Sequence, residues 1–184
     1  IVWTSPSYTT GRFPRTEALE LPFTLPPGGM AGSRAMWEFY EKYGKDDFKD
    51  FKVLTIFSAS NVVLSTASKP ILSAADFKGI KLRSPSRFAA LFLTAQVTEG
   101  VSKGVIDGAM APWEVLPSTK IDEVVKYHME GQANQPGFTQ TPMAVLMNTK
   151  KFDSLPPDLK SVIDKNSGLF MAEWLGRIWD EGND

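Results

Sequence analysis

The sequence predicts an α/β fold, and two observations support this prediction. Short apolar segments typical of strands, such as residues 52–57 and 143–148, recur along the chain. Between them lie segments with helical periodicity, such as residues 33–43. Strands that alternate with helices are typical of a sheet covered by helices. A length of 184 residues, of which 42% are hydrophobic, is sufficient for a sizeable core.

The strand and helix patterns follow one another without internal repeats. Residues 5–27 are punctuated by Pro and Gly, so they are predicted to form a loop with one helical turn at 16–21. The remaining predicted elements are strands at 1–3, 52–57, 62–66, 105–111, 124–129 and 143–148, and helices at 33–43, 114–120 and 158–179.

Three helix starts carry local signals. Ser33 is predicted to cap the helix over 33–43, because a serine hydroxyl can accept a bond from a free backbone N–H of the first turn. Ser73 and Asp76 have the spacing of a capping box, which predicts a short helix there. The last helix follows Pro156 and Pro157, and its predicted apolar face consists of Leu159, Val162, Ile163, Phe170, Met171, Trp174, Leu175 and Ile178.

Composition excludes several classes of function. With 20 basic and 21 acidic residues the net charge is −1, so there is no electrostatic reason to expect nucleic acid or an anionic membrane as a partner. Stable membrane insertion is not expected either. No run approaches the roughly 20 apolar residues of a spanning helix. The absence of cysteine excludes disulfides, thiolate catalysis and cysteine-ligated metals, but it fits both the cytoplasm and the periplasm.

Arg83 is the most informative candidate residue. Ile80 and Leu82 alternate with Lys81 and Arg83, which predicts a short strand, and residues 84–86 then favour the start of a helix. Ligands of open α/β sheets bind at this edge, and a guanidinium matches the geometry of a carboxylate. From its position alone, Arg83 is equally well explained as a surface charge on an edge strand.

Several segments, in this order along nearly the whole chain, resemble a known family. They are residues 3–6 with 11–14, residues 20–23, residues 76–83, residues 104–108, residues 112–114 and residues 146–148. The sequence resembles the extracytoplasmic solute-binding subunit of tripartite ATP-independent periplasmic (TRAP) transporters, of the DctP-like type. The resemblance implies a periplasmic-binding-protein-like clamshell of two α/β lobes, type II-like, which holds a small organic acid in its cleft through Arg83.

The resemblance also implies a cellular location, partners and a division of the chain into lobes. It implies a periplasmic location and, as partners, the TRAP membrane subunits that receive the ligand from the closed clamshell. Along the chain it implies a remnant of the first lobe and a crossover at 1–60, a second α/β lobe at 61–140, and a crossover strand with a long connecting helix at 141–184. The sequence is therefore expected to be a fragment that lacks most of the first lobe.

Two positions depart from the family pattern. A strand between two helices is missing where Gln96 runs into Val97, so a chain break or a distorted connection is expected at that junction. Several members carry Asn before the Pro of the cleft strand, where this chain has Ala111.

Six further residues are candidates for ligand binding. The resemblance places Trp113 at the cleft, as a wall against the carbon skeleton of the ligand, although such a residue is more often part of a core. Glu114 is either a ligand-side acceptor or the first-turn acid of a helix. The others are loop or crossover residues with hydroxyl or amide groups, which could equally serve as solvated loops or as a hinge: Ser5, Tyr8, Ser60 and Asn61.

Other chemistries receive little support from the sequence. His128 is the only histidine and is predicted to be a strand residue with a satisfied ring, so neither a metal site nor a cofactor is expected. The main hypothesis is therefore a binding protein and not an enzyme. Two alternatives remain: a small α/β enzyme that clamps a carboxylic acid with Arg83, and a periplasmic sensor domain with the same fold.

Overall fold

The strands of the protein form two separate sheets. The computed structural model describes residues 1–9, 11–83, 104, 106–132 and 135–183. Within these residues the strands are β1 (Val2–Thr4), β2 (Phe51–Asn61), β3 (Val63–Thr66), β4 (Leu82–Arg83), β5 (Gly108–Ala111), β6 (Tyr127–Met129) and β7 (Gln140–Asn148). The first sheet has the order β1-β7-β2 and is antiparallel throughout. The second has the order β4-β5-β3-β6, in which only β4 and β5 pair in parallel.

The chain passes between the two sheets twice. The first passage is Val62, between β2 and β3, and the second is the segment that joins β6 to β7. The two passages are bonded to each other, because the backbone N–H of Val62 donates to the carbonyl of Thr139 at 3.0 Å. We call this region the crossover.

Helices bury both faces of the first sheet. The described helices are α1 (Gly29–Phe39), α2 (Val115–Ser118), α3 (Thr149–Asp153), α4 (Pro157–Lys165) and α5 (Leu169–Glu181). Leu146 of β7 packs in a cluster with Met36 of α1, whereas its neighbour Val145 packs on the other face with Ala172 of α5. This alternation explains why β7 reads as a continuous apolar run, since a strand covered on both faces has no solvent side.

Small residues allow α1 and α5 to approach each other closely. Gly29 of α1 lies beside Gly176 of α5, and a Cβ atom at Gly176 would overlap the carbonyl oxygen of Gly29. Asp180, near the end of α5, accepts hydrogen bonds from the backbone N–H groups of Gly29 and Met30. A carboxylate at this position satisfies free donors and complements the positive end of the α1 dipole.

The predicted cap of the first helix is wrong. The helix begins at Gly29, four residues before Ser33, and Gly28 precedes it with a φ of +87°. Ser33 is fully buried inside the helix, where its hydroxyl oxygen accepts a bond from the backbone N–H of Ser58 at 2.9 Å. The capping function belongs to Asp180, which is distant in sequence.

The predicted long helix over 158–179 is two helices. The break is at Gly168, whose φ of +75° no helix can contain. The N–H of Gly168 donates to the carbonyl of Leu54 in β2 at 2.6 Å. The hydroxyl of Thr55 donates to the carbonyl of Gly168 at 3.1 Å. Of the predicted apolar face, Ile163, Met171 and Leu175 pack on the sheet, and five residues are exposed: Leu159, Val162, Phe170, Trp174 and Ile178.

Smaller differences concern the second sheet. The capping box of Ser73 and Asp76 is present and starts a single 3-10 turn, Ala74–Phe77. The strands predicted at 105–111 and 124–129 are shorter in the structure, as β5 and β6. The junction between Gln96 and Val97, where a chain break or distorted connection was expected, lies outside the described residues.

Candidate functional site

Arg83 lies where the sequence predicts it, at the end of a strand. It is the last residue of β4, the strand beside β5, and its register partner there is Ala109. The residue is half-buried. In the described part of the chain, the guanidinium has neither a hydrogen bond nor an ion pair. An unpaired fork of donors at a strand end is suited to a carboxylate.

Three of the predicted residues meet in one cavity at the crossover. Ser60, Asn61 and Trp113 line it, and its volume is about 310 Å³. We call it the crossover cavity. Its remaining lining residues lie just before α1, at or just after the end of α5, and just after β6: Pro27, Gly28, Asp180, Asn183 and Glu130.

The polar groups of the two crossover residues serve the local structure. Ser60 has a φ of +62°, and its N–H donates to the hydroxyl of Ser58 at 3.0 Å. The side-chain oxygen of Asn61 accepts a bond from Nε2 of Gln140 at 3.0 Å. These bonds fix the path of the chain between the sheets.

Trp113 packs against the only histidine. The ring centroids of Trp113 and His128 are 4.8 Å apart, and Nδ1 of His128 lies 2.9 Å from the hydroxyl oxygen of Ser65. The prediction of a strand histidine with a satisfied ring is confirmed. Ser65 is fully buried, so this Ser–His pair offers no accessible nucleophile.

Glu114 is a buried acid without a hydrogen-bond partner. Both of its carboxyl oxygens are inaccessible to water and have no partner among the described residues, although the residue as a whole is only partly buried. Burial therefore raises the pKa of the Glu114 carboxyl to about 7. Glu114 directly precedes α2 and lies beside Gly182, just after α5. Burying a protonated carboxyl group at this position costs less free energy than burying a charged one.

Ser5 and Tyr8 line neither the crossover cavity nor the pocket described next. The hydroxyl of Ser5 is buried and donates to the carbonyl of Pro142 at 2.9 Å, so it holds the loop after β1 against β7. Tyr8 is 61% exposed at the end of a 3-10 turn. The geometry around Ser5 is that of a structural residue.

The structure contains a second cavity that the sequence did not predict. It has a volume of about 190 Å³ and lies against the face of the second sheet that carries Leu64 and Met110. We call it the aromatic pocket, because Phe23 and Phe138 meet edge to face above it with ring centroids 6.0 Å apart. Its other lining residues are Val62, Phe77, Met129, Glu130, Gly131, Gln132, Gln135 and Pro136.

The two cavities differ in what they can accept. The crossover cavity is lined by two carboxylates, Asp180 and Glu130, and by no basic residue, so it disfavours an anion. The aromatic pocket is walled mainly by apolar side chains, and aromatic rings favour edge-to-face and offset contacts with another ring. Its shape and lining therefore suit the carbon skeleton of a small organic molecule.

Two further properties concern the described residues as a whole. Within them, no group of three or more His, Asp or Glu side chains is placed to hold a metal ion. No helix in the described ranges is long and apolar enough to cross a membrane.

Comparison with known proteins identifies the family. The model of the DctP family, described as bacterial extracellular solute-binding protein family 7, matches residues 1–184. The chain belongs to this family. The resemblance to TRAP solute-binding subunits is thereby confirmed.

Solved structures confirm the predicted fold class. A marine metagenome TRAP solute-binding protein specific for aromatic acid ligands, in complex with 3-hydroxybenzoate, is 40% identical with a TM-score of 0.90, over 99% of this chain and 60% of that chain. A Rhodoferax ferrireducens TRAP protein with benzoate is 39% identical with a TM-score of 0.90, over 98% of this chain and 59% of that one. A Bordetella bronchiseptica protein with bound mandelate is 29% identical with a TM-score of 0.87, over 98% and 60%. The chain therefore spans about 60% of the length of these relatives.

Proposed function

We propose that this protein is the extracytoplasmic solute-binding component of a TRAP transporter, and that it captures a small organic acid through Arg83. The observation that carries the proposal is the position of this arginine, which is half-buried at the end of β4 and whose guanidinium has no partner among the described residues. The carboxylate of the ligand would form a bidentate pair with the guanidinium. Its carbon skeleton would pack on Trp113, whose ring borders the cluster of Ala109, the register partner of Arg83.

The ligand would be an aromatic monocarboxylate rather than a C4-dicarboxylate. Trp113 offers its ring to the carbon skeleton, and aromatic rings favour edge-to-face and offset contacts with another ring. The aromatic acids bound by the relatives from the marine metagenome and from Rhodoferax support this choice. The aromatic pocket is not part of this site, because Leu82 and Met110, on the face of the pocket, alternate with Arg83 and Ala109.

The proposal includes a location and a partner. In the periplasm, closure around the ligand would produce the form that docks onto the TRAP membrane subunits, since a ligand shifts the population toward the state in which it makes more contacts. Binding and release of an unmodified acid require neither a cofactor nor a catalytic base.

The test is calorimetry of the full chain with benzoate, 3-hydroxybenzoate, mandelate and succinate. We expect binding of the aromatic acids and a rise in melting temperature, because a ligand that binds only the native state stabilises it. Arg83→Lys should weaken binding by about 1–3 kcal/mol, because a point charge does not reproduce the bidentate fork. Arg83→Ala should leave the fold intact and reduce binding further.

Lys81→Ala is the matched control. It removes one positive charge two residues away on the same segment, from an exposed side chain, and it should leave affinity unchanged. Equal affinity of the native protein and Arg83→Ala for benzoate would eliminate the arginine clamp. Absence of binding to every organic acid tested would eliminate the proposed function.

A further inference from the structure

The aromatic pocket lies on the face of the second sheet opposite to that of Arg83. Leu82 and Met110 belong to the apolar cluster beneath the pocket. Arg83 and its register partner Ala109 alternate with them along β4 and β5, so their side chains lie on the other face. The arginine site therefore does not account for this pocket.

The pocket has the size and the walls of a cavity for an aromatic ring. Its volume is about 190 Å³, and an apolar cavity of about 150 Å³ in a protein takes up benzene. Val62, Leu64 and Met110 line its floor, and each is at most 9% exposed. Met110 and Met129 add polarizable sulfur, which makes favourable contacts with aromatic rings.

Hydrogen bonds on both sides of Phe23 hold its ring at the pocket. The hydroxyl of Thr139 donates to the carbonyl of Glu20 at 2.8 Å, and Nε2 of Gln140 donates to the carbonyl of Pro26 at 2.6 Å. The loop that carries Phe23 is thus tied to the segment that leads into β7. These bonds support the edge-to-face contact of the two phenylalanine rings before any ligand binds. A preformed wall lowers the ordering cost of binding.

Phe23 itself has a backbone conformation that bulky residues rarely adopt. Its φ is +62°, in the left-handed region, and its side chain is 65% exposed. Strained residues of this kind cluster at ligand clamps, where the surrounding structure holds them in place. Glycine would adopt the same φ without strain. The combination of strain and exposure therefore favours a ring that serves binding over one that serves folding.

The lining of the pocket favours an uncharged ligand. None of its described lining residues is basic, and the one acidic residue, Glu130, is exposed, so its carboxylate is solvated. A carboxylate inside the pocket would lose hydration without gaining a cation, which costs free energy. We propose that the aromatic pocket is a second binding site, for an uncharged molecule with a single aromatic ring, separate from the site at Arg83.

The test is calorimetry of the full chain with toluene at neutral pH, alone and in the presence of saturating benzoate. We expect saturable binding of toluene. Its affinity should not change when benzoate is present or in Arg83→Ala, because the two sites lie on opposite faces of the sheet.

Two variants alter the pocket, and a third is the control. Gly131→Leu adds a side chain at an exposed lining position with open space around its Cβ, and it should weaken toluene binding by about ten-fold or more. Phe23→Gly removes a ring and should weaken binding by about three- to ten-fold without lowering the melting temperature. Tyr43→Ala removes an exposed ring outside the pocket and should leave the affinity unchanged.

Each outcome decides the inference. Toluene binding that is abolished by benzoate or by Arg83→Ala would place both ligands in one site and overturn it, as would equal toluene affinity in the native protein and Gly131→Leu. If toluene binds only by dissociating an assembly that Phe23→Gly also dissociates, the pocket holds a protein surface and the inference falls. The proposed function is tested separately, with organic acids, so toluene binding with the expected variant effects supports the inference even if no acid binds.

Discussion

The hydroxyl of Ser58 donates a hydrogen bond to Oε1 of Gln140 at 2.6 Å, and this bond joins the two strands that leave the first sheet at the crossover. Nε2 of the same amide donates to the carbonyl of Pro26 at 2.6 Å and to the side-chain oxygen of Asn61 at 3.0 Å. Gln140 is buried, so its amide is satisfied entirely by protein groups. A buried polar network in which each member has a partner fixes one geometry, because any displacement leaves groups unpaired.

The first prediction is that Gln140→Leu destabilises the protein strongly. The substitution introduces an apolar side chain of similar size, and it removes the bonds that Gln140 makes with Ser58, Asn61 and the carbonyl of Pro26 in a buried place. We expect a loss of about 2–4 kcal/mol in the free energy of unfolding, measured by urea denaturation. Gln135→Leu, at an exposed position, is the control and should cost little. Equal effects of the two substitutions would contradict the structural role of the network.

A second prediction concerns the contact of α1 with α5. Gly176→Ala should destabilise the protein although alanine is the better helix former by roughly 1 kcal/mol. The added Cβ would overlap the backbone carbonyl of Gly29, which cannot move without displacing α1, and overpacking costs typically about 1–3 kcal/mol. The net loss should be about 1–2 kcal/mol in thermal or urea unfolding. Gly131→Ala has open space around its Cβ and should be nearly neutral. A stabilised Gly176→Ala would show that the helices are farther apart than described.

Features set by local sequence were predictable. The long strands β2 and β7 are mainly apolar over their predicted parts, 52–57 and 143–148, and Ser73 and Asp76 form their capping box within a few residues, so short-range patterns suffice for them. The placement of Arg83 at a strand end follows from alternation and from the turn residues after it.

Features set by tertiary contacts were not predictable. The cap of α1 comes from Asp180 at the other end of the described chain, so the local serine signal at Ser33 was misleading. The apolar periodicity continues across the break at Gly168, and only its bonds to the neighbouring strand reveal why the helix stops. The aromatic pocket combines Phe23 and Phe138 from separate loops, and neither residue stands in a pattern that points to the other.

A third prediction concerns the exposed apolar side of α4 and α5. Phe170 is 63% exposed and Trp174 is 46% exposed, and four further apolar residues of these helices are also exposed: Leu159, Val162, Leu169 and Ile178. Contiguous apolar surface of this kind binds other apolar surfaces. The 184-residue chain should therefore bind a hydrophobic dye and self-associate, as fluorescence and light scattering would show.

Two variants locate the surface responsible for this behaviour. Phe170→Glu combined with Trp174→Ser should reduce dye binding and self-association. Leu72→Ser changes a residue that is 85% exposed away from these helices and should have little effect. A monomeric native chain that binds no dye would contradict the prediction.

The last prediction concerns the buried carboxyl group of Glu114. Burial raises the pKa of this group from its ordinary 4.5 to about 7. The folded protein favours the neutral form of the carboxyl group. The stability that this preference contributes is therefore complete below the pKa of the unfolded state, and it is lost as the pH rises through the pKa of the folded state. Glu114→Gln keeps a neutral side chain at every pH. Its melting temperature should therefore match that of the native protein near pH 4.5 and exceed it at pH 8, with the difference developing between these values. Because other groups titrate equally in both proteins, the difference isolates Glu114. A difference that does not vary with pH would show that the carboxyl titrates as it does in water.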